Sequence, residues 1–174
     1  MRLFVAINLP ETVQTKYKEV YEKLEEIKGI KPVSPKNMHL TLLFLNNYEP
    51  EHVSKKLKKI TPRKIRIDME GFGFYPNAKT PRVIWLRIKP SKELIDMQKE
   101  IREAFGIKLS FDPHLTIGRI KKITKDDFKE LIDFLTKIKK QSFETDSFKL
   151  IQSQLTNLGS VYTVLETFEA GKNL

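Results

Sequence analysis

The chain has 174 residues, 40% of them hydrophobic, with no cysteine and 32 Lys and Arg against 22 Asp and Glu, a formal charge of +10. That length suits one core, so a single bilobal domain over residues 1–174 is expected. Disulfides and thiolate metal sites are excluded. No stretch approaches the roughly 20 apolar residues of a membrane span. The opening Arg2-Leu3-Phe4-Val5-Ala6-Ile7 is too short for a secretory leader, so a cytoplasmic protein is expected. The charge favours polyanions such as RNA or DNA, although a lysine-rich face also serves solubility alone. A Lys-, Glu- and Ile-rich chain without cysteine also suits a thermophile.

Residues 2–8 read as a first strand ending at Pro10. Residues 11–27 read as an amphipathic helix, because Val13, Tyr17, Val20, Tyr21, Leu24 and Ile27 recur at helical spacing before Gly29. A Pro- and Ser-containing loop leads into a strand at 38–45, and a basic helix follows at 51–60. Strands at 65–74 and 83–88 flank a Gly- and Pro-rich turn; Ser91 caps a helix running to about Phe105. A strand at 113–120 precedes a helix capped by Thr124 and reaching Lys139. Strands at 143–152 and 162–168 close the chain around a turn at Asn157-Leu158-Gly159. The late strands follow one another through short loops, which argues for an α+β fold with a mixed or antiparallel sheet rather than a doubly wound one.

One short pattern occurs twice: His39-Leu40-Thr41-Leu42 and His114-Leu115-Thr116-Ile117. In a strand, residues i and i+2 share a face, so each His stands beside its Thr while the apolar pair anchors the other face. Imidazole titrates near neutrality, so two of them flanking one phosphate supply an acid and a base. Threonine hydroxyls can donate to phosphate oxygens and stabilise growing charge. A single copy is commonly a satisfied histidine on a sheet, but two of the three histidines share this context. The third, His52, lies among Glu51, Lys55 and Lys56 and reads as a solvated surface residue. A zinc site needs three or four ligands, and neither motif contains a carboxylate, a Cys or a His-x-x-x-His pair. No metal and no cofactor are expected, and the absence of a phosphate-binding glycine loop argues against nucleotide-driven ligation.

With both motifs in view, the chain resembles the 2′-5′ RNA ligase or RNA 2′,3′-cyclic phosphodiesterase family of the two-histidine phosphoesterase superfamily. The likeness runs nearly end to end, through Arg2–Pro10, Asn37-Met38-His39-Leu40-Thr41-Leu42, Gly71-Phe72-Gly73-Phe74-Tyr75-Pro76, Pro81-Arg82-Val83-Ile84-Trp85 and Phe111-Asp112-Pro113-His114-Leu115-Thr116-Ile117-Gly118-Arg119. It extends to Gln152-Ser153-Gln154-Leu155 with Gly159 and Tyr162. The resemblance implies two pseudo-symmetric lobes, each an antiparallel β-sheet packed with helices, around a central cleft. It implies hydrolysis of a 2′,3′-cyclic phosphate to a 2′-phosphomonoester, with His39 as proton donor, His114 as proton acceptor, and Thr41 and Thr116 holding the phosphate. The residues alone do not say which histidine is the acid. Attack by a 5′-hydroxyl in place of water would join ends through a 2′-5′ linkage without ATP. The partners implied are RNA ends with 2′,3′-cyclic phosphates, such as tRNA fragments, acted on by a monomer. Rival readings are a phosphodiesterase of small cyclic nucleotides and an RNA-end receptor without turnover; phosphate binding alone would be served as well by Lys or Arg.

Other residues carry weaker signals. Arg119 falls on the face opposite His114 and Thr116 if its strand is regular, and on their face if a bulge intervenes. Phe4, Phe74 and Trp85 read as core aromatics rather than base-stacking ones. The run Lys55-Lys56-Leu57-Lys58-Lys59 with Arg63-Lys64, and Arg119 with Lys121-Lys122, could track an RNA backbone.

Overall fold

The computed structural model describes residues 2–157 and 159–171. These form a nine-stranded antiparallel sheet covered by helices. The elements run β1 (Arg2–Asn8), α1 (Glu11–Lys16), α2 (Lys18–Glu26), β2 (Ile30–Pro32), a turn of 3-10 helix (Pro35–Asn37), β3 (His39–Asn46), α3 (Pro50–Leu57) and β4 (Ile65–Tyr75). They continue with β5 (Val83–Ile88), α4 (Lys92–Ala104), β6 (His114–Ile120), α5 (Lys125–Leu135), β7 (Gln141–Thr145), β8 (Ser147–Thr156) and β9 (Gly159–Glu169). The order across the sheet is β7-β4-β5-β6-β3-β1-β8-β9, with β2 beside β6.

The expected lobes are two halves of one continuous sheet, β7-β4-β5-β6 with β2 beside it, and β3-β1-β8-β9. In each half a strand, a helical segment and a motif-bearing strand follow in sequence, β1 to β3 and β5 to β6. The chain then exchanges partners: β4 leaves the first half to pair with β5, and β8 leaves the second to pair with β1. The helices bury their apolar stripes on one face of the sheet, as the 3.6-residue spacing requires. Ser91 and Thr124 cap α4 and α5 by accepting the amides of Leu94 and Asp127 at 3.2 and 3.1 Å, and so satisfy N-terminal donors that would otherwise be orphaned.

Three expectations change. The helix at 11–27 divides at Tyr17, a buried residue whose amide is shared between Val13 and Gln14 carbonyls at 3.2 and 3.1 Å and whose hydroxyl meets Met69 Sδ at 3.7 Å. The short β2 lies in what reads as loop. The single strand at 143–152 is two strands, β7 at one end of the sheet order and β8 next to the other end, joined by Asp146. The core-facing parity switches there, from odd-numbered Phe143 to even-numbered Phe148 and Leu150. Thr145 ties the bend, its Oγ1 donating to the Ser147 carbonyl at 3.2 Å. One intervening residue spans at most about 7 Å, so the sheet must curl for the two halves to be joined this way. The Leu158 of the expected final turn lies outside the described residues.

Gly73 shows how close the packing is beneath the second half. A Cβ there would sit 2.2 Å from Trp85 Cζ2, because the indole lies across the glycine. Gly73→Ala is therefore expected to cost about 1–3 kcal/mol by overpacking, lowering Tm by several degrees. Trp85 is the sole tryptophan, so its fluorescence should shift with the same variant; unaltered melting and emission would contradict the packing described.

Candidate active site

The motif strands β3 and β6 pair antiparallel at a single register point, Leu40 opposite Leu115. Both leucines are buried in the main core, at 1% and 0% exposure. Antiparallel geometry then turns His39 toward Thr116 and Thr41 toward His114 on the opposite face. The four side chains expected to act together are thereby brought into one square, each partly exposed while Leu40, Leu42, Leu115 and Ile117 are buried. Beyond that point the strands part, and β2 takes the place of β3 beside β6, pairing Ile30, Lys31 and Pro32 with Ile120, Arg119 and Gly118.

Each histidine is oriented in the same way. His39 Nδ1 lies 2.7 Å from the Asn37 carbonyl, and His114 Nδ1 lies 2.8 Å from the Asp112 carbonyl. A carbonyl only accepts, so both Nδ1 atoms carry the proton and donate. Nε2, across the ring, is left as the atom that takes a proton when the ring is neutral and gives one when it is charged. Burial holds the His39 imidazole below its ordinary value; the bond to Asn37 opposes this, and the charge of His114 adds to the depression. The His39 ring therefore feels the charge of the other motif's histidine.

Aromatic side chains wall both rings. His39 packs on Phe4 at 4.8 Å and on the edge of Tyr162 at 5.3 Å. Phe4, Ala6 and Ile151 form a small second core on this face, with Tyr162 against it. His114 meets Tyr75 edge-on at 5.1 Å and Trp85 at 6.1 Å. The Tyr75 hydroxyl donates to Asp112 Oδ2 at 2.6 Å, and burial, then this carboxylate, pushes its pKa up to about 12. Asp112 thus holds Tyr75 with its side chain and His114 with its backbone. Phe74 belongs to the main core instead, packed on Phe128 at 5.2 Å. Tyr75 and Tyr162 lie in stretches that carry the family resemblance, but no local sequence pattern links them to either motif.

Both motifs end in a bulge. The β1–β3 register slips so that Val5 faces Leu43 and Ala6 faces Thr41, leaving Leu42 as the extra residue. The β5–β6 register slips so that Ile84 faces Gly118 and Trp85 faces Thr116, leaving Ile117 extra. A one-residue insertion exchanges the faces of everything beyond it. Phe44, 62% exposed, and Arg119, also exposed, therefore join the face that carries the histidines. Of the two placements open for Arg119, the bulge selects the face of the histidines. The signal was local but hidden: consecutive buried pairs, Leu42-Leu43 and Ile117-Gly118, cannot occur in a regular half-buried strand.

The basic run at 55–64 is largely engaged elsewhere. Lys56 donates to the Ala104 carbonyl at 2.6 Å, Lys58 pairs with Glu166, Arg63 with Glu100 and Lys64 with Glu144. Two surface hollows, of about 500 and 340 Å³, are lined by residues of α2 and α5 and of α3, β8 and β9, and neither includes a motif residue. Among the described residues no cluster of three or more His, Cys, Asp or Glu is placed to hold a metal, and no helix is long and apolar enough to cross a membrane.

A model of the family described as LigT like Phosphoesterase matches residues 7–85 and 87–162, one motif in each segment. The chain is 34% identical to an Archaeoglobus fulgidus protein named RNA 2′,3′-cyclic phosphodiesterase, over 97% of this chain and 100% of that one. A Methanocaldococcus jannaschii protein of the same name is 35% identical, over 95% and 99%. A crystal structure from Thermus thermophilus superposes with a TM-score of 0.79 at 28% identity, covering 97% of each chain. The Escherichia coli LigT crystal structure, at 23% identity, shares the fold with a TM-score of 0.77 over 97% of this chain. The protein belongs to the LigT-like phosphoesterases.

Proposed function

We propose that the chain is an RNA 2′,3′-cyclic phosphodiesterase that opens a terminal cyclic phosphate to a 2′-phosphomonoester, with His39 and His114 exchanging the protons. The matched Nδ1 bonds carry this reading: they fix the same tautomer on both rings and leave each Nε2 for the substrate. The names of the relatives support the substrate class.

In this mechanism Thr41 and Thr116 donate to the non-bridging phosphate oxygens. Neutral His114 takes a proton from water as the water oxygen attacks phosphorus. The P–O3′ bond breaks, and charged His39 gives its proton to the departing 3′ oxygen. The product carries a 2′-phosphate and a 3′-hydroxyl, and exchange with solvent restores both rings. A 5′-hydroxyl in place of water would yield a 2′-5′ linkage by the same steps. The protein acts as a cytoplasmic monomer on ends such as those left by tRNA cleavage, and its Lys-rich, cysteine-free composition suits a thermophile.

His39→Ala and His114→Ala should each lower turnover of an RNA ending in a 2′,3′-cyclic phosphate by about 10²–10⁴-fold, with EDTA leaving the wild-type rate intact. Binding without conversion by the wild type would favour the receptor reading, and loss of the rate in EDTA would refute the metal-free mechanism.

The depressed His39 pKa makes a second prediction. A proton donor is lost as pH rises through its pKa, which in the free protein lies below the ordinary value of 6.5. A bound anionic phosphate favours the charged ring and raises that pKa. The alkaline fall of kcat/KM should therefore begin at lower pH than that of kcat. Coincident limbs, or limbs in the reverse order, would move the donor role away from His39.

Tyr75 and Asp112 act through His114 as positioning residues. Tyr75→Phe keeps the ring contact and removes the hydroxyl bond; kcat should fall about tenfold through a misplaced imidazole, while KM and Tm stay close to wild type. Asp112→Asn, which still accepts from Tyr75, should retain most of the rate. A loss confined to Asp112→Asn would assign the effect to charge rather than to position.

A further inference from the structure

The pseudo-symmetric halves differ in what stands beside each motif. Strand β1 places Asn8 opposite His39, Ala6 opposite Thr41 and Phe4 opposite Phe44. Strand β5 places Arg87 opposite His114, Trp85 opposite Thr116 and Val83 opposite Arg119. A neutral amide in one half thus corresponds to a guanidinium in the other, about 5 Å from the histidine at Cα.

Arg87 is exposed, and its guanidinium carbon lies 5.8 Å from the centre of the Trp85 ring. Among the described residues no carboxylate pairs with it; Glu70, whose carboxyl feels its charge, is held by Lys140 at 2.9 Å. Stacking on the indole removes part of the rotamer freedom that a free arginine would lose on binding. Trp85 is itself fixed by Gly73 beneath it and is 8% exposed. The result is a planar, charged donor fork, oriented in advance and without an anionic partner, one strand away from the proposed phosphate square. That chemistry fits a second phosphate by two-point contact.

We infer that Arg87 is a specificity-determining residue that contacts the phosphate on the 5′ side of the terminal nucleoside, so that the protein prefers nucleic acid ends to free cyclic mononucleotides. The inference rests on the hydrolysis proposed above. It gives the bound strand a direction: the terminal cyclic phosphate sits between the motifs and the preceding phosphate lies toward β5. Phe44, 62% exposed beside the other motif, offers apolar surface that would not hold an anion.

The test compares a nucleoside 2′,3′-cyclic phosphate with the same compound bearing a 5′-phosphate, using the full chain, Arg87→Gln and Arg87→Lys. The 5′-phosphate should raise wild-type kcat/KM about tenfold, as a hydrogen-bonded charge pair would. Arg87→Gln should abolish that advantage and lower the salt slope by about one. Arg87→Lys should keep the salt slope and recover only part of the advantage. A wild type indifferent to the 5′-phosphate, or an Arg87→Gln variant that slows both compounds equally, overturns the assignment. A wild type that converts neither compound nor a cyclic-phosphate RNA refutes the hydrolysis reading, and this inference falls with it.

Discussion

The pairing of Leu40 with Leu115 is the constraint on which the site depends. These leucines carry no chemistry, yet their burial joins the two halves of the sheet at the point where the motifs meet. Fully burying a leucine contributes about 1.5–3 kcal/mol, so the contact is strong enough to hold a register. A one-residue slip of either strand would exchange core and cleft faces, sending the imidazoles inward and the leucines to solvent. The hydrophobic pattern that stabilises the fold therefore also orients the proposed catalytic groups.

Local geometry then refines what the register sets. Both rings are held from behind by a carbonyl two residues upstream, so their reactive nitrogens need no further side chain to choose a tautomer. Both motifs end in a bulge, which turns Phe44 and Arg119 to the face they would otherwise avoid. The same two devices recur in each half. Their recurrence shows the pseudo-symmetry more plainly than the sequence, where only the His-x-Thr pattern is visible.

The exchange of β4 and β8 between halves explains why the chain cannot be divided cleanly at its middle. The second motif's half-sheet is built from the consecutive strands β4 to β7, whereas the first motif's half takes β1 and β3 from the start of the chain and β8 and β9 from its end. The symmetry is nevertheless incomplete around the two rings. His39 rests on a small apolar cluster and is desolvated, while His114 rests against a tyrosine tied to a carboxylate, with an arginine alongside. Two chemically identical side chains thus occupy different environments.

The residues by themselves determined the two motifs, their shared-face geometry, most of the helices with their Ser91 and Thr124 caps, and the α+β class, because each of these follows from local periodicity or spacing. Even the break at Asp146 was written in a parity change between Phe143 and Phe148. Only the tertiary structure decided that β7 and β8 lie in opposite halves of the sheet, that β2 exists, and that Tyr75, Tyr162 and Arg87 stand beside the histidines. Those outcomes depend on contacts between residues far apart in the chain, and no pattern within one strand encodes which distant strand will lie next to it. The faces of Arg119 and Phe44 fall between the two cases: the bulges that set them leave adjacent buried residues in the sequence, but their direction is resolved only when β1 and β5 supply the register.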